Sequence, residues 1–277
     1  MKNLYISRML VILAMFLYAD VSAEEYTLSI QPTLPKDVVM KSYQPLADYL
    51  SKQTGHKIKI KAYRNFFTYW QKMKKADDFD FVLDAAHFTD YRVLRKNYTV
   101  LAKLPDTVSY SIVTRDDVMI LDPDELVLEK VATMTSPGLG GIRLYEMFQN
   151  PTRLPIEVSV NDSNEAVNAI MEGRALAAII PTPLVSKYDS LNTVMITKSV
   201  PHMGFSASPN VPEIVRRDIQ QALIKAHNTK DGQQMLAQIK VKEFEATSEK
   251  AYAGYSDLLK DVFGYSPISR QLSYSAY

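Results

Sequence analysis

The stretch of this chain best equipped to hold an anion is Thr135-Ser136-Pro137-Gly138. It follows the strand-like run Val131-Ala132-Thr133-Met134 and leads into Ile142, Tyr145, Met147 and Phe148, which recur at helix-like spacing. A helix start leaves its first amides without partners inside the helix, and the dipole makes that end positive. Hydroxyls beside such amides donate to anionic oxygens, and Gly138 lets the backbone come close. The same residues equally suit a plain strand–turn–helix joint in which Thr135 or Ser136 caps the helix. His87 follows a strand-like run ending at Leu83, where ligand loops of α/β sheets gather, and an imidazole can donate to an anion. Its other reading is a structural histidine. Thr33, after the first strand, is a candidate of the same kind.

Other chemistries find little support. The four histidines, His56, His87, His202 and His227, show no metal-ligand pairing. Asp77-Asp78 with Asp80 lacks the spacing and the glycine of a calcium loop. No nucleophile elbow, P-loop or dinucleotide fingerprint occurs, so neither an enzyme nor a cofactor is expected. The absence of cysteine excludes thiolate nucleophiles, disulfides and a lipidated N-terminal cysteine. A net charge of +1 offers no polybasic field for nucleic acid or a membrane surface.

These candidates need elements to hold them in place. Tyr26–Ile30 alternates as a strand, Tyr43–Ser51 has helical spacing closed by Thr54-Gly55, and Lys57–Tyr63 alternates with one wet face. Phe66–Lys75 suits a helix with Trp70, Phe66 and Phe67 in its core rather than as a stacking platform, and Phe79–Leu83 a buried strand. Strand, helix, strand, helix, strand is the order of an α/β layer with crossover helices. After the strand Ser109–Thr114 a second α/β series begins with the Thr135-Ser136 unit. It continues through Ile156–Val160, a helix from Asn164 to Glu172 closed by Gly173, Ala175–Ile180 and Val194–Thr197. Val211–Ile239 reads as one long helical region and Ala251–Val262 as a last short helix.

Residues 1–23 read as a secretory signal. Lys2 and Arg8 form the positive start, Met9–Leu17 the apolar core, and Val21-Ser22-Ala23 the cleavage site. That core is too short to span a bilayer comfortably.

Several pieces together resemble the phosphate/phosphite/phosphonate-binding periplasmic proteins of ABC transporters. They are Tyr43-Gln44-Pro45-Leu46-Ala47-Asp48-Tyr49-Leu50, Phe79-Asp80-Phe81-Val82-Leu83, Tyr110-Ser111-Ile112-Val113, Thr135-Ser136-Pro137-Gly138, Asn164-Glu165-Ala166 through Gly173, and Gly232-Gln233-Gln234-Met235-Leu236. The resemblance implies an α/β, two-lobe type II periplasmic binding protein fold, each lobe a mixed sheet flanked by helices, joined by two crossing segments. Residues 24–114 and 205–277 would form lobe one, and residues 115–204 lobe two. It implies a ligand cleft between the lobes, with Tyr110 reaching it from a crossover strand and Ser163 donating from a second helix start. Tyr110's other reading is a buried tyrosine that only packs, and Ser163's is an N-cap.

Three departures broaden the expected ligand from phosphonate to a small oxyanion. Ser163 stands where the family often has histidine, Leu176 where it often has an acidic residue, and Asp84-Ala85-Ala86-His87-Phe88 replaces a glycine-containing turn. The expected role is that of an exported, monomeric solute-binding protein serving an inner-membrane ABC permease. A sensor of the same fold, reporting to a membrane receptor or kinase, is the alternative. The mature chain should begin at Glu24. N-terminal sequencing of the exported protein checks this, and recovery of intact chain in membranes alone would refute it.

Overall fold

Lys57, Lys59 and Lys61 keep one face of their strand wet, and that strand lies at the edge of a sheet. Lys57 and Lys59 both pair with Glu25 on the neighbouring strand. Charged side chains on an edge discourage pairing with another chain. The computed structural model describes residues 23–75, 79–260, 262 and 264–266. The expected signal (Ala23 apart), the Asp77-Asp78 turn and the tail beyond Pro267 lie outside them.

The chain opens with β1 (Glu25–Ile30), α1 (Lys36–Thr54), β2 (Lys57–Ala62), α2 (Phe66–Lys75), β3 (Phe81–Asp84), α3 (Ala86–Lys96) and β4 (Thr99–Lys103). After β5 (Thr107–Val108) come β6 (Tyr110–Arg115), β7 (Lys130–Met134), α4 (Leu139–Met147), β8 (Ile156–Val160), α5 (Ser163–Met171), β9 (Ala177–Pro181), α6 (Thr182–Val185) and β10 (Leu191–Ile196). The return runs through β11 (Val200–Pro201) and β12 (Gly204–Ala207) to α7 (Glu213–Lys225) and α8 (Lys230–Gln238). One five-stranded sheet has the order β2-β1-β3-β12-β4, the other β10-β6-β9-β7-β8. Parallel pairing of β1 with β2 and β3, and of β7 with β8 and β9, follows from the crossover helices. Antiparallel β5 and β11 pair between the sheets, where the chain crosses and returns.

Most expected elements have their counterparts, with instructive exceptions. Tyr110–Thr114, expected in lobe one, pairs with β9 and β10 in the second sheet, so the crossing precedes it. The region from Val211 to Ile239 is two helices, because Thr229 caps a new start by accepting from the Gly232 amide at 3.1 Å. Ala251–Val262 is not a helix but part of two 3₁₀ turns, Glu249–Tyr252 and Tyr255–Leu259, separated by Gly254 at φ 98°. A left-handed residue there stops the first turn from continuing.

α3 is buried on every side from Ala86 to Arg92. Asp84, at the end of β3, pairs with Arg92 where neither is reached by water. Tyr69 of α2 donates to Asp84 at 2.6 Å and Thr89 of α3 at 3.2 Å, so the carboxylate is held by three side chains from two helices. Burial opposes the Arg92 charge, yet the adjoining carboxylate holds its pKa above the ordinary value. Asp90 accepts from the Gly254 and Ser256 amides at 3.1 and 2.8 Å, which pins the C-terminal turns against α3. Trp70 packs edge-on against Tyr91, ring centroids 4.9 Å apart, in a core that continues into the second sheet.

Removing one member of a buried ion pair strands the other charge, at a cost of about 3–5 kcal/mol. Asp84→Ala should lose that much stability on urea denaturation, and Asp84→Leu with Arg92→Met should lose less. A loss under about 1 kcal/mol for the single variant would show that the pair does not hold α3.

Candidate ligand-binding site

The residue before a proline is biased away from helical conformation, so the helix after β7 does not begin at Thr135 or Ser136. Its N-cap is Gly138, with no side-chain cap. The Thr135 hydroxyl donates to Ser159 at 2.8 Å, and Ser159 donates to Glu157 at 3.0 Å. Thr135 is therefore tied to an exposed network on β8. A Cβ at Gly138 would stand 2.9 Å from the Phe66 ring, and one at Gly141 2.3 Å from the Ser136 amide nitrogen. Glycine at these points lets the start of α4 sit against both β7 and lobe one.

His87 lies at the start of α3 without exposure, its Nε2 3.0 Å from the Pro137 carbonyl across the lobes. With that carbonyl as acceptor, Nε2 carries the proton and Nδ1 is the nitrogen left without a partner. Burial pushes the imidazole pKa down to about 3; the Pro137 carbonyl opposes the shift and the Arg143 charge adds to it. Tyr110 is buried beside Gly140, and burial pushes its phenol up to about 12. His87 and Gly138 thus lie at the seam between the lobes, while Tyr110 is packed beside Gly140 within the second lobe.

Two other expected residues do not join them. Thr33 lies half-buried on the loop after β1, its amide bonded to the Gln31 carbonyl. Ser163 is the first residue of α5, and the N-cap is Asp162, whose carboxylate accepts from the Asn164 and Glu165 amides at 2.8 and 3.0 Å. A carboxylate already satisfies that helix start.

Beside the seam, α2, α4, the returning crossing segment and the C-terminal turns line a cavity of about 990 Å³ that is open to solvent on one side. Of the seven residues singled out in the sequence, Ser136 alone lines it. Its charged lining is Arg143, Lys198 and Lys260 against Glu146 and Asp257. Arg143 is only 2% exposed; it pairs with Glu146 and donates to the Lys198 carbonyl at 2.6 Å, while its Nε has no partner. Lys198 and Lys260 are exposed and form no ion pair among the described residues. Phe67, Trp70, Tyr145, Phe148 and Tyr255 supply rings. Sequence reasoning missed the cations. The available signal was Arg143, a charge set between the apolar helix positions Ile142 and Leu144. Among the described residues no group of three or more histidine or acidic side chains is placed to hold a metal.

A family model described as "ABC transporter, phosphonate, periplasmic substrate-binding protein" matches residues 28–252. Among solved structures the chain is similar to PhnD1 from Prochlorococcus marinus in complex with methylphosphonate, with TM-score 0.72, 14% identity, and coverage of 85% of this chain and 97% of that one. It is also similar to a binding protein component of an ABC phosphonate transporter from Pseudomonas aeruginosa, with TM-score 0.71, 14% identity and 86% of each chain covered. A Xanthomonas citri protein bound to ATP gives TM-score 0.68 at 11% identity, over 86% of this chain and 99% of that one. At these identities the likeness is one of fold, the two-lobe type II architecture expected from the sequence. No curated protein matches.

The His87 environment carries a pH dependence. Its folded pKa of about 3 lies below the ordinary 6.5, so between those values the unfolded chain binds the extra proton. The stability is complete above the ordinary pKa and falls as pH drops, by about 1.4 kcal/mol per unit. Between about pH 7 and pH 5 the wild type should lose roughly 2 kcal/mol that His87→Gln does not lose. Urea titrations at both pH values read the difference; equal slopes for the two proteins would sink the assignment.

Proposed function

Because the chain belongs to the phosphonate periplasmic substrate-binding proteins of ABC transporters, we propose that it is exported to the periplasm, captures a phosphonate- or phosphate-like oxyanion between its lobes and delivers it to an inner-membrane permease. The observation that carries this reading is the cavity between the lobes, lined by three cations against two carboxylates. Glu146 already pairs with Arg143, and Lys198 and Lys260 outnumber the other carboxylate, Asp257, so a net positive charge remains to attract an anion. Their field raises the local concentration of anions and steers them inward.

Arg143 is the fixed element of the site. Its contacts to Glu146 and to the Lys198 carbonyl hold the guanidinium before any ligand arrives, which lowers the ordering cost of binding. Ser136 adds a hydroxyl donor from the loop that precedes α4. In this reading Gly138 and His87 shape the seam behind Ser136, Tyr110 packs within the second lobe, none of the three bonds to the ligand, and Thr33, Thr135 and Ser163 stand outside the site.

A calorimetric panel of phosphate, phosphite, methylphosphonate, sulfate and acetate tests the reading. A hydrogen bond to a charged partner contributes roughly 1.5–3 kcal/mol, so Ser136→Ala should weaken the preferred anion about ten- to a hundredfold. Lys198→Ala with Lys260→Ala should weaken it as well and reduce its dependence on salt. Thr135→Ala should leave affinity within about twofold, since its hydroxyl is already bonded to Ser159. Unchanged affinity in both the Ser136 and the double-lysine variants would place the ligand elsewhere.

A further inference from the structure

We propose that the occupant of this cavity is an organic oxyanion, a phosphonate or phosphate monoester whose substituent carries an aromatic ring, and not a bare or methyl-sized anion. The inference rests on the anion-binding reading above and adds the chemistry of the substituent.

Size comes first. Water takes about 30 Å³ per molecule, so the five heavy atoms of methylphosphonate fill on the order of 150 Å³. The cavity holds about 990 Å³. Sites for sizeable organic ligands run from roughly 300 to 1,000 Å³. A head group alone would leave most of this volume to solvent.

The lining supplies the second argument. Arg143 and the two lysines suit the charged head, while Phe67, Trp70 and Tyr255 bring rings to the same space from α2 and from the C-terminal turns. Aromatic groups pair with such rings in offset or edge-on geometry with a gain beyond burial alone.

Phe67 is the telling member. Its neighbours on α2, Phe66, Tyr69, Trp70 and Met73, are buried, whereas Phe67 is 58% exposed. A single exposed ring on a surface means little. This one lines a cavity that also holds a 98% buried guanidinium whose Nε lacks a partner. A ligand with a charged head at one end and a flat apolar body at the other matches both parts of this lining.

The chain has one tryptophan, Trp70, which borders the cavity with only 1% of its surface exposed, so its emission reports changes in the cavity wall. Titrations with phosphate, methylphosphonate and phenylphosphonate, read by calorimetry and by Trp70 fluorescence, test the proposal. Phenylphosphonate should bind at least tenfold more tightly than methylphosphonate and shift the Trp70 emission. Phe67→Ala should remove most of that advantage while leaving methylphosphonate affinity within twofold; Tyr255→Ala, on the other wall, should act in the same direction. Unfolding midpoints of both variants establish that they fold. Equal affinity for the two phosphonates overturns the aromatic inference and leaves the anion reading standing. Equal weakening of both ligands by Phe67→Ala overturns it too. If none of the three anions binds, both readings fall.

Discussion

Asp84 and Arg92 face each other without access to water, and the middle of the molecule depends on that pairing. Two charges out of water are tolerable only when they are close, well oriented and supported by further bonds. Tyr69 from α2 and Thr89 from α3 supply two of those bonds, so strand end and both helices are fixed together. α3 can then be buried on all sides over its first two turns. From that fixed helix, His87 reaches the Pro137 carbonyl of the other lobe and Asp90 holds the turns at Gly254 and Ser256. The first contact closes the seam and the second supports a wall of the cavity.

Seam and cavity divide the space between the lobes by polarity. At the seam, Phe66 meets Gly138 and a neutral imidazole meets a carbonyl, groups that lose little on leaving water. The cavity keeps the lysines and carboxylates, which would be costly to seal without partners. Arg143 joins the two regions. It extends from α4 to the carbonyl of Lys198, on the segment by which the chain returns to the first lobe. In our reading, charge arriving in the cavity therefore acts on a residue bonded to the crossing segment, where hinge motions of two-lobe proteins are absorbed.

Much of the fold was legible because its elements obey local rules. α2 runs from Phe66 to Lys75 as its spacing predicts, α1 stops at a left-handed Gly55, and β8 occupies Ile156–Val160. Where two neighbours compete, local rules lose force. β4, a short run between Thr99 and Lys103, escaped notice because its length and composition carry little period. β6 read correctly as a strand but went to the wrong lobe, since sheet membership is decided by partners far along the chain. The cavity was harder still. Arg143, Lys198 and Tyr255 come from three separated segments, and no sequence spacing relates them.

Thr135 and Ser136 show how far a motif can carry an argument before geometry divides it. Read as a pair, two hydroxyls before a helix make one anion site. β7 ends at Met134, however, and the turn that follows gives the two hydroxyls different surroundings. Thr135 takes the face toward β8, where Ser159 and Glu157 form a chain of acceptors that consumes its proton. Ser136 borders the cavity. Pro137 then prevents Ser136 from joining the helix, which leaves its hydroxyl free of the capping role that sequence alone would give it. One residue of the pair is thus tied to β8, and the other borders the cavity, where our reading places the ligand.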